Sequence, residues 1–253
     1  MTARRRSAEA SGVANLGSMS PTPLRPPSVS DVGERGPRSA EGRAWPGVFD
    51  ASETVERVWI DFVAALPDPA HRTALRRAVA FARARHGAQT RRGSDTPYWV
   101  HLVRVAMELA HWGEQDPVLL QAALLHDTVE DTPTSVEEVR VGFGPEVADL
   151  VDWLTAPDAQ DDLPAYYQRL RAQAPFPAQI LKLADRVDNL RSIQALVMRT
   201  DERYTTWAAT YLRRTVWQVL PLAAAAPSVA RVALVTAMAD LAPLVGDDGF
   251  TER

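Results

Sequence analysis

An unbroken helical pattern, running from Asp50 almost to the C-terminus, is the feature that most constrains the fold of this chain. Apolar residues recur along it every three or four positions, as they do on one face of an amphipathic helix. No stretch alternates apolar and polar residues in the way that a half-buried strand does. We therefore predict an all-α fold.

Local signals divide this pattern into separate helices. Asp116-Pro117 supplies an N-cap residue and a first helical residue for one of them. Thr134 with Glu137 is predicted to form a capping box at the start of another. Further along, one continuous amphipathic helix is expected over about 202–220.

The first 48 residues differ in composition from the rest. They are rich in Pro, Ser, Gly, Ala and Arg, lack apolar periodicity, and carry seven arginines against four acidic residues. We predict a disordered tail over 1–48 and a helical domain over 49–253, with a helical extension from about 201. The Arg-rich, acid-poor start also resembles a transit peptide, an alternative that the sequence leaves open.

Composition excludes several classes of protein. The chain has no cysteine, so disulfides, zinc fingers and thiol nucleophiles are excluded, and any metal must be held by histidine and carboxylate. Its net charge of −4 argues against broad nucleic-acid binding. The apolar stretches near 217–245 are interrupted by Pro221, Pro227, Arg231 and Asp240, so we expect no membrane span. A cytoplasmic protein is expected.

Three short motifs bring together residues that can carry chemistry. They supply two imidazoles and several carboxylates, which is a ligand set for a divalent metal with positions open to water and substrate. The motifs are Pro97-Tyr98-Trp99-Val100-His101, His126-Asp127-Thr128-Val129-Glu130-Asp131 and Lys182-Leu183-Ala184-Asp185-Arg186-Val187-Asp188-Asn189.

Helical spacing predicts that these motifs face inward. In the helix that opens at Pro117, an apolar stripe from Leu119 continues into His126 and Glu130. On a later helix, Asp185 lies on a similar mixed stripe. Buried imidazoles and carboxylates need partners, and a cation shared by the two stripes and by His101 would supply one.

Each motif taken alone has a simpler interpretation. A His-Asp dipeptide is common, and Glu130-Asp131 could be a polar helix end. Acidic residues near a helix C-terminus oppose the macrodipole, however, which favours a functional role. Asp185-Arg186 could be a surface ion pair. The joint occurrence of the motifs favours the metal site.

The extended spellings resemble the metal-dependent HD superfamily, and within it the alarmone hydrolase domain of the RelA/SpoT homologues, most nearly the single-domain small alarmone hydrolases. The family pattern reads H-x-x-Q-x-R, P-Y-x-x-H, A-L-L-H-D-x-x-E-D-T, F-G-x-x-V and K-L-A-D-R-x-x-N-x-R. The matching segments here begin at His86, Pro97, Ala123, Phe143 and Lys182, and the resemblance covers roughly 70–200.

The resemblance implies an HD-domain helical bundle and a specific reaction. Glu130 and Asp131 would activate and orient the attacking water, and pyrophosphate would be removed from the 3′ position of (p)ppGpp to leave GDP or GTP. The residues that would bind one divalent metal ion, usually Mn²⁺, are His101, His126, Asp127 and Asp185.

The same resemblance implies substrate contacts. Arg91 would stack on the nucleobase beside the basic Arg92, and Asn189 would contact ribose or phosphate with Ser192 nearby. Lys182 is the only lysine in the chain, and its place inside a motif indicates a phosphate-facing charge.

Two positions depart from the family pattern. Leu102 stands where proline is common and is expected to matter little. Asp188 stands where histidine is common, and the negative charge that it adds is expected to alter substrate preference or turnover.

Other functions remain as alternatives. One is a different HD phosphohydrolase, acting on the 2′-phosphate of NADPH or on a nucleotide 5′-monophosphate. Another is a weakly catalytic alarmone-binding protein or an antitoxin for a toxic synthetase, although the complete ligand set argues against an inactive site. Oligomeric state cannot be read from the sequence. Packing in the core or at an interface is expected of four aromatic residues: Tyr204, Trp207, Tyr211 and Trp217.

Overall fold

The structure is a computed structural model, and it describes residues 51–157 and 162–246, apart from the side chains of residues 201 and 202. Within these ranges the chain forms eleven α-helices joined by short loops and no strand, so the all-α prediction is confirmed. The tail predicted over 1–48 lies outside the described residues and stays a prediction, as does the division into domains.

The eleven helices follow one another with few long connections. Short 3₁₀ and π segments separate α9 from α10 and α10 from α11. The helices are α1 Ser52–Ala65, α2 Pro69–His86, α3 Trp99–His111, α4 Pro117–Leu125, α5 Thr128–Asp131, α6 Val136–Phe143, α7 Pro145–Leu154, α8 Leu163–Gln173, α9 Phe176–Thr200, α10 Thr205–Arg214 and α11 Ser228–Val245.

Helix starts follow the capping signals, with one shift of register. Asp116 accepts hydrogen bonds from the backbone amides of α4, 2.8 Å from the nitrogen of Val118, as expected. The capping box predicted at Thr134 lies one residue later, where the Ser135 Oγ accepts from the Glu138 amide at 3.1 Å. Thr134 is instead buried, and its hydroxyl contacts the Thr132 hydroxyl at 2.8 Å.

The prediction of one continuous helix over about 202–220 is wrong. A 3₁₀ turn at Asp201–Tyr204 precedes α10, and a π-helical turn at Thr215–Val219 and a second 3₁₀ segment follow it. The buried Thr215 hydroxyl donates to the Tyr211 carbonyl at 2.9 Å and accepts from Arg186 at 3.2 Å. Pro221 then supplies no backbone N–H, so a regular helix cannot continue through it.

Helix α9 is the centre of the bundle. It contacts α3, α4, α7, α8, α10 and α11, and its middle third is buried on nearly every side. Helix α3 lies alongside it and is also almost entirely buried. A helix buried all round needs apolar residues on all its faces, and any charged residue on it needs a partner. Charged side chains at the contact between α3 and α9 are accordingly paired, Arg104 with Asp188 and Arg191 with Glu108.

Helix α11 bears on the expectation that the apolar stretches near 217–245 contain no membrane span. Its 18 residues have a mean hydropathy of 1.6, so by length and composition it is long enough and apolar enough to cross a membrane. Core helices of water-soluble proteins pass the same test. In the structure, one face of α11, including Leu234 and Leu241, is buried, and the helix packs along α9.

Candidate metal centre

The helix that carries the His-Asp pair is broken at that pair. α4 ends at Leu125 and α5 begins at Thr128, so the continuous stripe expected through Glu130 is not observed. The Thr128 hydroxyl closes the break by donating to the Leu125 carbonyl at 2.7 Å. In a continuous helix, adjacent side chains point about 100° apart. The break allows His126 and Asp127 to face the same point.

Four predicted ligands converge at this point. The His101 Nε2 lies 3.4 Å from the Asp127 Oδ2 and 3.5 Å from the Asp185 Oδ1. The His126 Nε2 lies 3.1 Å from the Asp127 Oδ1 and 3.7 Å from the Asp185 Oδ1. Potential ligand atoms of His101, His126 and Asp185 all lie within 4.8 Å of one another.

The donor atoms fit a divalent cation. The Nε2 atoms of His101 and His126 are buried and have no hydrogen-bond partner among the described residues. Buried polar atoms are normally satisfied, so two orphaned nitrogens that face two carboxylates indicate a bound positive species. The His126 Nδ1 lies 2.8 Å from the Ala123 carbonyl, a contact that leaves Nε2 as the coordinating atom.

Electrostatics at the centre favour positive charge. Burial lowers the pKa of the His126 imidazole, but the Asp127 and Asp185 carboxylates outweigh it and raise the pKa to about 10. Burial raises the pKa of the Asp127 and Asp185 carboxyls, and their cationic neighbours bring it well below the usual range. Protons and a divalent cation therefore compete for the same imidazole nitrogens.

The departure at Asp188 lies directly behind the centre. Its Oδ2 is 2.6 Å from the His101 Nδ1, and its Oδ1 accepts from the Arg104 Nε at 2.6 Å. Burial raises the pKa of the Asp188 carboxyl, but Arg104 and His101 bring it well below the usual range. The negative charge expected from this residue is thus compensated within the protein.

The two predicted catalytic carboxylates are exposed beside the metal ligands. The Glu130 Oε2 accepts from the Ala156 amide at 2.9 Å. Enclosure by the surrounding walls raises the pKa of Glu130, opposed mainly by the Lys182 ammonium. Asp131 contacts the Tyr98 hydroxyl, whose oxygen lies 2.6 Å from the Asp131 Oδ2 and 2.8 Å from the Asp127 Oδ2.

A cavity of about 510 Å³ adjoins Asp131. Arg91 donates a hydrogen bond to the Asn189 Oδ1 there, and Arg92 lies over the Trp207 ring at 4.8 Å. Four arginines line the cavity, and one of them, Arg104, is paired with Asp188. The residues that decide its chemistry are Arg91, Arg92, Arg104, Arg199, Asp131, Asn189, Ser192, Trp207 and Tyr211.

Gly93 brings the arginine loop close to α9. It has a φ of +66°, which disfavours other residues, and a Cβ there would lie 2.6 Å from the Leu196 Cδ1. This close approach holds Arg91 and Arg92 over the cavity.

Comparison with known proteins assigns the family. A sequence profile of the HD domain matches residues 78–220, which is more than half of the 253 residues. The chain belongs to the HD domain family. The matched residues include the four predicted metal ligands, Glu130 and Asp131 beside them, and the loop that carries Arg91 and Arg92.

Relatives with established names are similar over this HD domain. The guanosine-3′,5′-bis(diphosphate) 3′-pyrophosphohydrolase of Aquifex aeolicus is 38% identical over 140 residues, covering 53% of this chain and 20% of that protein. The human guanosine-3′,5′-bis(diphosphate) 3′-pyrophosphohydrolase MESH1 is 39% identical over 147 residues, covering 54% of this chain and 81% of the human protein. The mouse MESH1 is 38% identical over 146 residues, with 54% and 81% covered.

A solved structure shares the fold of this HD domain. It is described as a metazoan ortholog of SpoT that hydrolyzes ppGpp and plays a role in starvation responses. It superposes with a TM-score of 0.55 at 27% identity, covering 68% of this chain and 96% of its own.

Lys182 was expected to face a substrate phosphate, but it lies against the metal ligand Asp185. It is buried, and its ammonium lies 3.0 Å from the Asp185 Oδ2, behind the metal ligand. It is not among the residues that line the cavity. Its position indicates a role in holding Asp185 in place and balancing its charge, so the predicted contact with substrate phosphate has no support in this geometry.

The structure also adds residues to which the sequence assigned no role. His86 stacks on Tyr98, with ring centroids 4.4 Å apart. Its Nδ1 lies 2.7 Å from the Gln89 Oε1, and the Gln89 Nε2 donates to the Asp131 carbonyl at 2.9 Å. The sequence could have indicated these residues, because His86, Gln89 and Tyr98 all fall within the quoted motifs.

Three of the four aromatic residues expected in the core or at an interface pack partly buried against the core, namely Tyr204, Trp207 and Tyr211, whereas Trp217 is 50% exposed. Trp207 and Tyr211 of α10 line the cavity of the HD site. Tyr211 also packs on the buried Arg186 guanidinium, 4.3 Å from its ring centroid. The region after residue 200 therefore forms one wall of the cavity.

Proposed function

We propose that this HD-domain protein is a metal-dependent hydrolase that removes the 3′-pyrophosphate from guanosine alarmones, (p)ppGpp, to yield GDP or GTP and pyrophosphate. One observation carries the proposal: Asp131 lines an arginine-containing cavity, and the Tyr98 hydroxyl joins it to Asp127 of the metal centre. The names of the relatives that are 38–39% identical support the same activity.

The metal is proposed to be manganese, held by His101, His126, Asp127 and Asp185. Imidazole and carboxylate donors suit Mn²⁺, although they also suit other divalent ions, and the choice rests on the family resemblance. A bound divalent cation supplies Lewis acidity and offsets the negative charge of a phosphate group.

Glu130 is proposed to accept the proton of the attacking water. Its raised pKa brings it closer to neutrality than an ordinary carboxylate, and its exposed position gives water access. Asp131, held by the Tyr98 hydroxyl, is proposed to orient that water. The water oxygen bonds to the phosphorus that is esterified to the 3′ oxygen of ribose, and the bond between that phosphorus and the 3′ oxygen breaks. Pyrophosphate is released, and the 3′ oxygen takes up the proton that Glu130 accepted from the water.

The cavity is proposed to hold the nucleotide. An anionic ligand with several phosphates suits a wall that includes Arg91, Arg92 and Arg199. Arg91 has its guanidinium fixed by Asn189 and lies 5.2 Å from the Tyr98 ring centroid, so its planar face can stack on a base. Asn189 and Ser192 are proposed to contact ribose or phosphate.

The test is a competition among nucleotides. Purified protein with Mn²⁺ is given ppGpp, GTP, GMP and NADPH at equal concentration, and products are separated by chromatography. We expect ppGpp to be consumed with release of pyrophosphate rather than orthophosphate. Consumption of NADPH or GMP with ppGpp left intact would replace the alarmone assignment with one of the alternative phosphohydrolases.

A variant tests the role of the arginine loop. Arg91→Ala is expected to raise KM more than it lowers kcat, because base stacking contributes similarly in the ground and transition states. A fall in kcat at unchanged KM would contradict the stacking role.

Biological context is a further proposal. Degradation of an alarmone fits a cytoplasmic enzyme of the stringent response, and it also fits an antitoxin that removes the product of a toxic synthetase. A binding protein without turnover is the third possibility, and it would retain ppGpp unchanged in the competition above.

A further inference from the structure

The contact between α3 and α9 is built from charged residues in matched pairs. His101, Arg104 and Glu108 follow one face of α3 at helical spacing. Opposite them on α9 lie Asp188, which contacts both His101 and Arg104, and Arg191, which pairs with Glu108 at 2.8 Å. One helix pair thus carries two ion pairs, and only one of them touches a metal ligand.

The inner pair is buried and geometrically well formed. Arg104 and Asp188 are 6% and 4% exposed. The Arg104 Nε and Nη2 donate to the two carboxylate oxygens at 2.6 Å and 3.2 Å, so the fork fixes the plane of the carboxylate. Its Oδ2 is then aimed at the His101 Nδ1.

That contact decides which nitrogen of His101 faces the centre. A carboxylate on Nδ1 holds a proton there and leaves the Nε2 lone pair for a metal. The His126 Nδ1 faces a backbone carbonyl instead, 2.8 Å away. The two imidazoles are therefore oriented by different means, and only the His101 contact depends on a side chain that substitution can change.

We propose that Asp188 is a positioning residue for the metal ligand His101, and that Arg104 acts through Asp188 by holding its carboxylate in register. The proposal rests on the metal site of the proposed function. It concerns metal affinity alone, which can be measured without any nucleotide.

The experiment is calorimetric titration of Mn²⁺ into the full chain. Asp188→Asn keeps the side-chain size but removes the charge, and loss of such a contact typically weakens metal binding about 10- to 100-fold. The matched control is Glu108→Gln, which breaks the outer ion pair on the same two helices and should leave the Mn²⁺ Kd within about twofold of wild type. An Asp188→Asn Kd that shifts no more than that of the control would overturn the proposal.

A double variant tests the part assigned to Arg104. If Arg104 acts only through Asp188, Arg104→Met added to Asp188→Asn should change the Kd by less than about threefold beyond Asp188→Asn alone. If the increase in Kd of the double variant equals the product of the increases in the two single variants, Arg104 does not act through Asp188.

A measurement on the wild-type chain guards against variants that fail to fold. Nitrogen chemical shifts of the histidine rings are recorded with diamagnetic Zn²⁺ bound. We expect His101 to carry its proton on Nδ1 and to coordinate through Nε2. A His101 that coordinates through Nδ1 would overturn the proposal. If Mn²⁺ binds as expected while ppGpp survives, the proposed function fails and this inference stands.

Discussion

Removing the Tyr98 hydroxyl should reduce turnover while leaving the fold intact. This oxygen lies 2.8 Å from the Asp127 Oδ2 and 2.6 Å from the Asp131 Oδ2, so it links a predicted metal ligand to a predicted catalytic carboxylate. Tyr98→Phe keeps the ring that stacks on His86, and it removes only the hydroxyl.

The size of the effect follows from the hydrogen bond. A hydroxyl has one proton, so it donates to one of the two carboxylates at a time, and a hydrogen bond to a charged group contributes roughly 1.5–3 kcal/mol. Each 1.4 kcal/mol is about tenfold, which sets a range of roughly 10- to 150-fold in kcat/KM. Asp131 is exposed, and water can replace part of the contact, so we expect the lower end of that range.

The assay is pyrophosphate release from ppGpp with saturating Mn²⁺, alongside thermal unfolding. Tyr167→Phe is the control, because the Tyr167 hydroxyl also meets a charged group, Arg186, but contacts no metal ligand. Wild-type turnover in Tyr98→Phe, or an equal loss in both variants, would refute the argument.

Three further predictions concern the metal and the base. Glu130→Gln should lower kcat roughly 10²- to 10⁴-fold while preserving the Mn²⁺ Kd, because an amide keeps the shape but cannot accept the proton. Chelation should abolish activity, Mn²⁺ should restore it, and Asp127→Ala should prevent that restoration because a ligand is lost. Mn²⁺ affinity should fall as pH is lowered through neutrality, because the pKa of His126 before metal binding is about 10, and each metal bound should release about one proton or more, measured by calorimetry in buffers of different ionisation enthalpy.

Each of these has a result that would contradict it. Native turnover in Glu130→Gln would assign the base elsewhere. Full activity after exhaustive chelation, or in Asp127→Ala, would remove the metal from the mechanism. A Mn²⁺ Kd independent of pH, with no proton released, would mean that the imidazoles are neutral before the metal binds.

The sequence by itself determined the helical class and the chemical identity of the site. Helical periodicity is a local property, so it can be read without knowing what a helix packs against. The predicted ligands lie together at the centre, and each stands in a motif that the sequence displays: His101, His126, Asp127 and Asp185. Arg91 and Asn189, also predicted, meet at the cavity.

Local patterns could not reveal partners that lie far apart in the chain. Arg104 and Asp188 are separated by 84 residues. Only the packing of α3 on α9 shows that the Asp188 carboxylate is neutralised by Arg104 and contacts His101. The same holds for Trp207 and Tyr211, whose spacing fits a core stripe equally well and which face the cavity because α10 folds back on α9.

The orientation of Lys182 and the break between α4 and α5 are both set by tertiary packing. A lone lysine within a motif suggests a phosphate contact, but its position on buried α9 turns it toward Asp185, three residues ahead. The break between α4 and α5 exchanges regular backbone hydrogen bonds for the Thr128 hydroxyl contact. Such an exchange becomes favourable only where tertiary contacts hold both His126 and Asp127 against one centre, and no helix propensity encodes that requirement.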